Sequence, residues 1–127
     1  MLKARDIMTK DVITISPEKT LDEAIKTLVD NKISGMPVCD GHKRVLGMIS
    51  EKDILNFVFS GNVKTTTVGE AMSRETISFS SDADIDKISL VMGEKKIRRV
   101  PIIDHGSLVG IVSRRSIIRI VLDMPAN

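Results

Sequence analysis

Lys32-Ile33-Ser34-Gly35-Met36-Pro37-Val38-Cys39-Asp40 recurs 64 residues downstream as Lys96-Ile97-Arg98-Arg99-Val100-Pro101-Ile102-Ile103-Asp104. In both places a short apolar run with an internal proline, closed by an aspartate, reads as a buried strand that ends in a turn. Upstream the same shift lays Met8 on Met72 and Ile13 on Ile77. Downstream one residue is lost in the turn, and a shift of 63 lays Val45-Leu46-Gly47-Met48-Ile49-Ser50 on Leu108-Val109-Gly110-Ile111-Val112-Ser113. The chain is a tandem duplication, and its fold is the fold of one unit used twice.

Each copy carries the same order of signals. A lead-in ends at Met8 or Met72 and is followed by a β-rich run, Val12 to Ile15 or Thr76 to Phe79. A helix follows. Thr20 and Glu23 have capping-box spacing, and Leu21, Ala24, Ile25, Leu28 and Val29 recur on one helical face. In the second copy Asp84 caps a stripe of Ile85, Ile88 and Met92, with Gly93 weakening the end. Two strands then pair through a turn: Met36 to Cys39 with Val45 to Ile49, and Val100 to Ile103 with Leu108 to Val112. A second helix closes each copy, giving a mixed α/β (α+β) class built from two β-α-β-β-α units.

Composition narrows the function. With 127 residues there is enough chain for one sizeable core and too little for two independent ones, so the two copies are expected to depend on each other. Three Phe with no Tyr or Trp leave no stacking platform for single-stranded nucleic acid. One cysteine, Cys39, forms no intramolecular disulfide, and with His42 and His105 it makes a poor zinc set, which points to a reducing, cytoplasmic setting. Cys39 itself reads as a small buried hydrophobe, and the histidines as exposed turn residues. No apolar run reaches the roughly 20 residues needed to span a bilayer, and the N-terminus lacks a signal-type apolar region, so neither secretion nor membrane insertion is expected. Phosphate-loop, dinucleotide, zinc-protease and serine-triad motifs are absent, so the chain is not expected to be an enzyme.

The closing helices hold more apolar side chains than one core absorbs. Ile54, Leu55, Phe57, Val58 and Phe59, and Ile117, Ile118, Ile120, Val121 and Leu122, extend around more than one face. A homodimer is the expected cover.

The ordered set Ile7-Met8-Thr9, Val12-Ile13-Thr14-Ile15-Ser16-Pro17, Asn31 to Val38 and Gly47 to Ile54, repeated in degraded form, resembles a tandem pair of cystathionine β-synthase (CBS) domains, a Bateman module. The resemblance covers residues 4–124, with repeats at 4–60 and 68–124 joined by a linker at 61–67. It implies two units packed with pseudo-twofold symmetry into one module. It also implies a regulatory sensor that needs no cofactor and binds AMP, ADP, ATP or S-adenosylmethionine in clefts between the repeats.

Ser50-Glu51-Lys52-Asp53 matches the family motif that faces the ribose. An ionised carboxylate at Asp53 accepts hydrogen bonds from two vicinal hydroxyls, a charge-assisted contact worth about 1.5–3 kcal/mol. The same spacing makes a capping box with Ser50 as N-cap, and the two roles are compatible. The resemblance brings Arg98 and Arg99 to the phosphate of the same ligand, with adenine against Thr76, Ile77, Ile97 and Pro101. A weaker cleft would pair Ile13, Ser34, Gly35 and Pro37 with Ser113 and Ser116, because Ser113-Arg114-Arg115-Ser116 has a hydroxyl where the first copy has a carboxylate. Two unequal clefts are therefore expected. The competing readings are a ligand-free module that docks on an enzyme or transporter, and, resting only on the basic run at residues 95–99, a nucleic-acid binder, which the composition disfavours.

Overall fold

A proline inside a paired strand removes one ladder donor, so its position shows which edge of the strand is open. In the computed structural model, which describes residues 2–123, the elements in chain order are α1 (Ala4–Ile7), α2 (Leu21–Asn31), β1 (Gly35–Cys39), β2 (Val45–Ser50), α3 (Glu51–Val58), α4 (Val68–Ala71), α5 (Ile85–Lys95), β3 (Arg99–Asp104), β4 (Ser107–Ser113) and α6 (Arg114–Asp123). β1 pairs antiparallel with β2, and β3 with β4. Pro37 and Pro101 lie on the outer edges. There a parallel bridge uses the carbonyl of residue i−1 and the N–H of residue i+1, so the proline's missing donor is not needed. Ile15 N donates to Pro37 O at 3.2 Å and Cys39 N to Ile15 O at 3.0 Å; Phe79 N donates to Pro101 O at 3.2 Å and Ile103 N to Phe79 O at 2.9 Å.

Those bridges are all that remains of the first strand expected in each copy. Ile15 and Phe79 pair with Val38 and Ile102, and the rest of the two runs forms no ladder. The reason lies in how the chain is divided. It forms two compact units, Ile13–Thr76 (unit A) and residues 2–12 with 77–123 (unit B), so each β-rich run is cut between the units. Residue 124, the expected end of the second repeat, lies outside the described residues.

The lead-ins consequently change places. In unit B, Arg5 N donates to Ser81 O and Ala4 N to Ala83 O at 2.9 Å each, and Ile85 N to Leu2 O at 3.0 Å. Lys3 Nζ lies 2.5 Å from Asp84 Oδ1. This ion pair occupies the side chain expected to cap α5: Asp84 stands at the N-cap position but makes no side-chain cap bond. In unit A, Val68 N donates to Lys19 O and Gly69 N to Pro17 O. The cap of α2 forms in part. Thr20 N donates to Glu23 Oε2 at 3.1 Å, while the Thr20 hydroxyl donates to Asp22.

The core of unit A gathers Ile15, Leu21, Ala24, Leu28, Met36, Val38, Ile49, Ile54, Val68 and Met72. That of unit B gathers Ala4, Ile85, Ile88, Met92, Val100, Ile102 and Val112. Val29, expected on the buried face of α2, is instead 68% exposed, because one residue past Leu28 turns it about 100° from the Leu21–Ala24–Leu28 stripe.

Candidate functional site

Both copies place a helix start directly at the end of a hairpin strand, and the two starts differ in one side chain. In unit A, Ser50 ends β2 opposite Gly35 and is the N-cap of α3. Asp53 N donates to Ser50 Oγ at 3.4 Å, and Asp53 Oδ2 accepts from Ser50 N and Ser50 Oγ at 2.9 Å each. Glu51 N donates to Ser34 O at 3.0 Å, which ties the residue before β1 to the same helix start. Asp53 is half-buried, and its Oδ1 accepts no hydrogen bond among the described residues. One oxygen holds the cap and the other is available.

In unit B, Ser113 ends β4 opposite Arg99, and Ser116 N donates to Ser113 Oγ at 3.1 Å with the two hydroxyl oxygens 2.9 Å apart. Arg114 N donates to Arg98 O at 2.8 Å. The backbone framework of unit A is repeated, with a hydroxyl where the carboxylate stood. Within each unit the structure therefore joins Ser34 and Gly35 to Ser50 and Asp53, and Arg98 and Arg99 to Ser113 and Ser116. Arg98 is exposed and Arg99 half-buried.

Ile13 packs on the core of unit A and Ile97 on that of unit B, both half-buried. Thr76 and Ile77, also half-buried, are the two residues between which the chain leaves unit A. Pro37 and Pro101 are wholly buried, and their carbonyls are taken by Ile15 and Phe79. His42 and His105 are exposed, and Cys39 is 7% exposed, with burial pushing its thiol pKa up. Among the described residues no three His, Cys, Asp or Glu side chains converge into a metal site, and no helix is long and apolar enough to cross a membrane.

Two features escaped the sequence reading. Lys32 and Lys96, at the ends of α2 and α5, both adopt left-handed backbone, with φ of 54° and 55°. Lysine carries no signal for that conformation, which normally selects glycine. Gly47 and Gly110 lie under the exchanged lead-ins: a Cβ on Gly47 would sit 2.6 Å from Ser73 O, and one on Gly110 2.5 Å from Met8 Sδ. Glycine at the same register of both copies was the available signal for a close approach, but not for what approaches.

The CBS domain model matches residues 4–60 and 68–123. The chain belongs to the CBS-domain family. It is 36% identical over 115 residues to the CBS domain-containing protein YhcV of Bacillus subtilis, covering 89% of this chain and 81% of YhcV. It also matches inosine-5'-monophosphate dehydrogenase of Methanocaldococcus jannaschii at 31% identity, but spans only 23% of that enzyme's length. The CBS domain pair of protein MJ0100, solved with 5'-methylthioadenosine and S-adenosyl-L-methionine, superposes with a TM-score of 0.86 at 30% identity, covering 97% of this chain and 98% of that one. CBSX2, solved with AMP, superposes with a TM-score of 0.88 at 27% identity over the same shares. As a CBS pair, the protein keeps both repeats in order and differs between them at the Asp53/Ser116 position.

Proposed function

We propose that this CBS pair is a regulatory, non-catalytic module that binds an adenosyl ligand, with Asp53 as the ribose reader. The observation that carries this reading is the division of labour at Asp53, whose Oδ2 completes the cap of α3 while Oδ1 has no protein partner among the described residues. A half-buried carboxylate oxygen held in place by its own helix cap is a preorganised acceptor for vicinal hydroxyls. The adenosyl compounds bound to MJ0100 and CBSX2 support the ligand class.

The finer assignments belong to the proposal. Arg98 and Arg99 contact phosphate on the ligand that Asp53 holds, and Thr76, Ile77 and Ile97 contact its adenine, with Pro101 supporting them from within β3. Ser113 and Ser116, with Ile13, Ser34, Gly35 and Pro37, serve a weaker site, since a neutral hydroxyl makes a hydrogen bond roughly half as strong as a carboxylate does. The setting is cytoplasmic. A second copy covers the α3 stripe, where Leu55, Val58 and Phe59 are 61, 39 and 94% exposed.

Titration calorimetry with AMP, ADP, ATP and S-adenosylmethionine, with and without magnesium, tests the reading. At least one compound binds saturably, and Arg98→Ala weakens a phosphate-bearing ligand by about tenfold or more. No binding by any of the four overturns it in favour of ligand-free docking.

A further inference from the structure

Past Ile15 the chain leaves the edge of the unit A sheet and turns back into α2, and an open groove of about 460 Å³ lies where the two diverge. Hydrogen bonds fix the divergence. Ile15 is held by Pro37 and Cys39, Lys19 N donates to Ser16 O at 3.3 Å, and Leu21 N, at the start of α2, donates to Thr66 O at 3.0 Å. Ile15 is the one aliphatic residue lining the groove, and Glu23, Lys26 and Thr27, spaced to share one side of α2, form its helical wall.

The groove carries charge of both signs with bonding capacity to spare. Thr20 N donates to Glu23 Oε2 at 3.1 Å, which orients the carboxylate, while Oε1 accepts no hydrogen bond among the described residues. Lys19, at the turn into the helix, forms no ion pair among the described residues. Lys26 Nζ is 3.9 Å from Asp30 Oδ2, the outer limit of an ion pair, and its side chain is 80% exposed. The hydroxyls of Thr14 and half-buried Ser16, which complete the lining, make no hydrogen bond among the described residues.

The duplication supplies an internal comparison. The unit B positions matching Lys19, Glu23, Lys26 and Thr27 are Ala83, Lys87, Leu90 and Val91, a single cation among aliphatic side chains. The helix forms in both copies. Its cap accounts for Glu23, but nothing in the fold of unit A accounts for the two lysines beside it.

We propose that this groove binds a small free amino acid, its carboxylate between the Lys19 and Lys26 ammonium groups and its own ammonium on Glu23 Oε1. A short side chain lies over Ile15, within reach of the Thr14 and Ser16 hydroxyls. This goes beyond the adenosyl reading, uses none of its residues and stands without it. Charge selects the class. A dicarboxylate or a phosphate would answer the lysines but meet a carboxylate that its cap bond holds in place, and an amine alone would meet two ammonium groups. A zwitterion answers all three.

Titration of the isotope-labelled full chain with L-serine and with L-alanine, followed by amide chemical shifts in nuclear magnetic resonance, tests the proposal. Amides of residues 14–19 and 23–27 shift and saturate with at least one of the two, at a Kd on the order of 1–10 mM. Acetate and ethylamine, each bearing one of the two charges, require about tenfold more. Glu23→Gln, which keeps an oxygen for Thr20 N, and the pair Lys19→Ala with Lys26→Ala each weaken the amino acid by about fivefold or more, whereas Lys87→Ala in unit B leaves it unchanged. If Glu23→Gln melts early, the double lysine variant carries the test, since those side chains are tied to the fold by nothing beyond the 3.9 Å contact with Asp30. No saturable shift with either amino acid up to about 50 mM, an equal response to acetate, or unchanged binding by the double lysine variant overturns the proposal. AMP titrated into the double lysine variant reports the adenosyl reading separately.

Discussion

Replacing Gly47 by alanine tests the exchanged lead-ins at their tightest point. Its backbone is not in the left-handed region, so the cost arises from space alone. The new Cβ would lie 2.6 Å from Ser73 O and 2.8 Å from Met72 Sδ. A thioether can rotate away, but Ser73 is held by paired bonds to Met48, N to O at 2.9 Å in both directions. Relief therefore leaves overpacking strain of about 1–3 kcal/mol together with the loss of one of those bonds, about 1 kcal/mol. A total of about 2–4 kcal/mol lowers Tm by on the order of 10 °C in a chain of this size. Gly110 is different: a Cβ there meets Met8 Sδ at 2.5 Å, Cγ at 2.7 Å and Cβ at 3.0 Å, mostly movable side chain. Gly110→Ala should cost about 1–2 kcal/mol, and less in a Met8→Ala background. Far-UV circular dichroism is the assay, since the chain lacks Trp and Tyr. Gly47→Ala melting within about 2 °C of the wild type, or Gly110→Ala being the worse of the two without relief from Met8→Ala, would refute the reasoning.

Lys32→Gly and Lys96→Gly should each stabilise by about 0.5–1 kcal/mol, because both lysines hold left-handed backbone at a helix end; a lower Tm in either contradicts this. Asp84 is held below the usual carboxylate range by the Lys3 hydrogen bond, and Asp104 by the Ser81 hydroxyl and then its N–H. Depressed folded values contribute stability above the unfolded pKa that is lost as pH falls through the folded one, so Tm declines below about pH 4 and Asp84→Asn reduces that decline. The Cys39 thiol, 7% exposed and raised in pKa, should react with a disulfide reagent only on unfolding; rapid labelling of the native protein contradicts its burial.

The duplication, the two hairpins and the helix stripes were legible because each rests on local periodicity and on proline at the same register in both copies. The capping box of Ser50 and Asp53 was legible for the same reason, being a spacing of three. The exchange of the lead-ins was not: Met8 and Met72 align perfectly as sequence, and nothing local says that each packs on the hairpin of the other copy. Glycine at 47 and 110 shows that something approaches closely, but the partner is a long-range fact. Asp84 looked like a cap because its spacing is right, and lost that bond to Lys3, a residue 81 positions away. Left-handed Lys32 and Lys96 were hidden because each ends its helix in a local turn, closed by Ile33 N to Leu28 O and Ile97 N to Met92 O, that glycine normally signals and lysine does not.

The central claim is that the Asp53 carboxylate reads ribose hydroxyls. It is tested most directly by a double cycle that combines Asp53→Ser, which copies Ser116, with a 2',3'-dideoxy form of whichever adenosyl ligand binds. Either change alone should weaken binding by about 10- to 150-fold, corresponding to one charge-assisted contact of about 1.5–3 kcal/mol. Together they should weaken it scarcely further, since both remove the same interaction. Fully additive losses, or an Asp53→Ser variant that binds as tightly as the wild type, would contradict the claim.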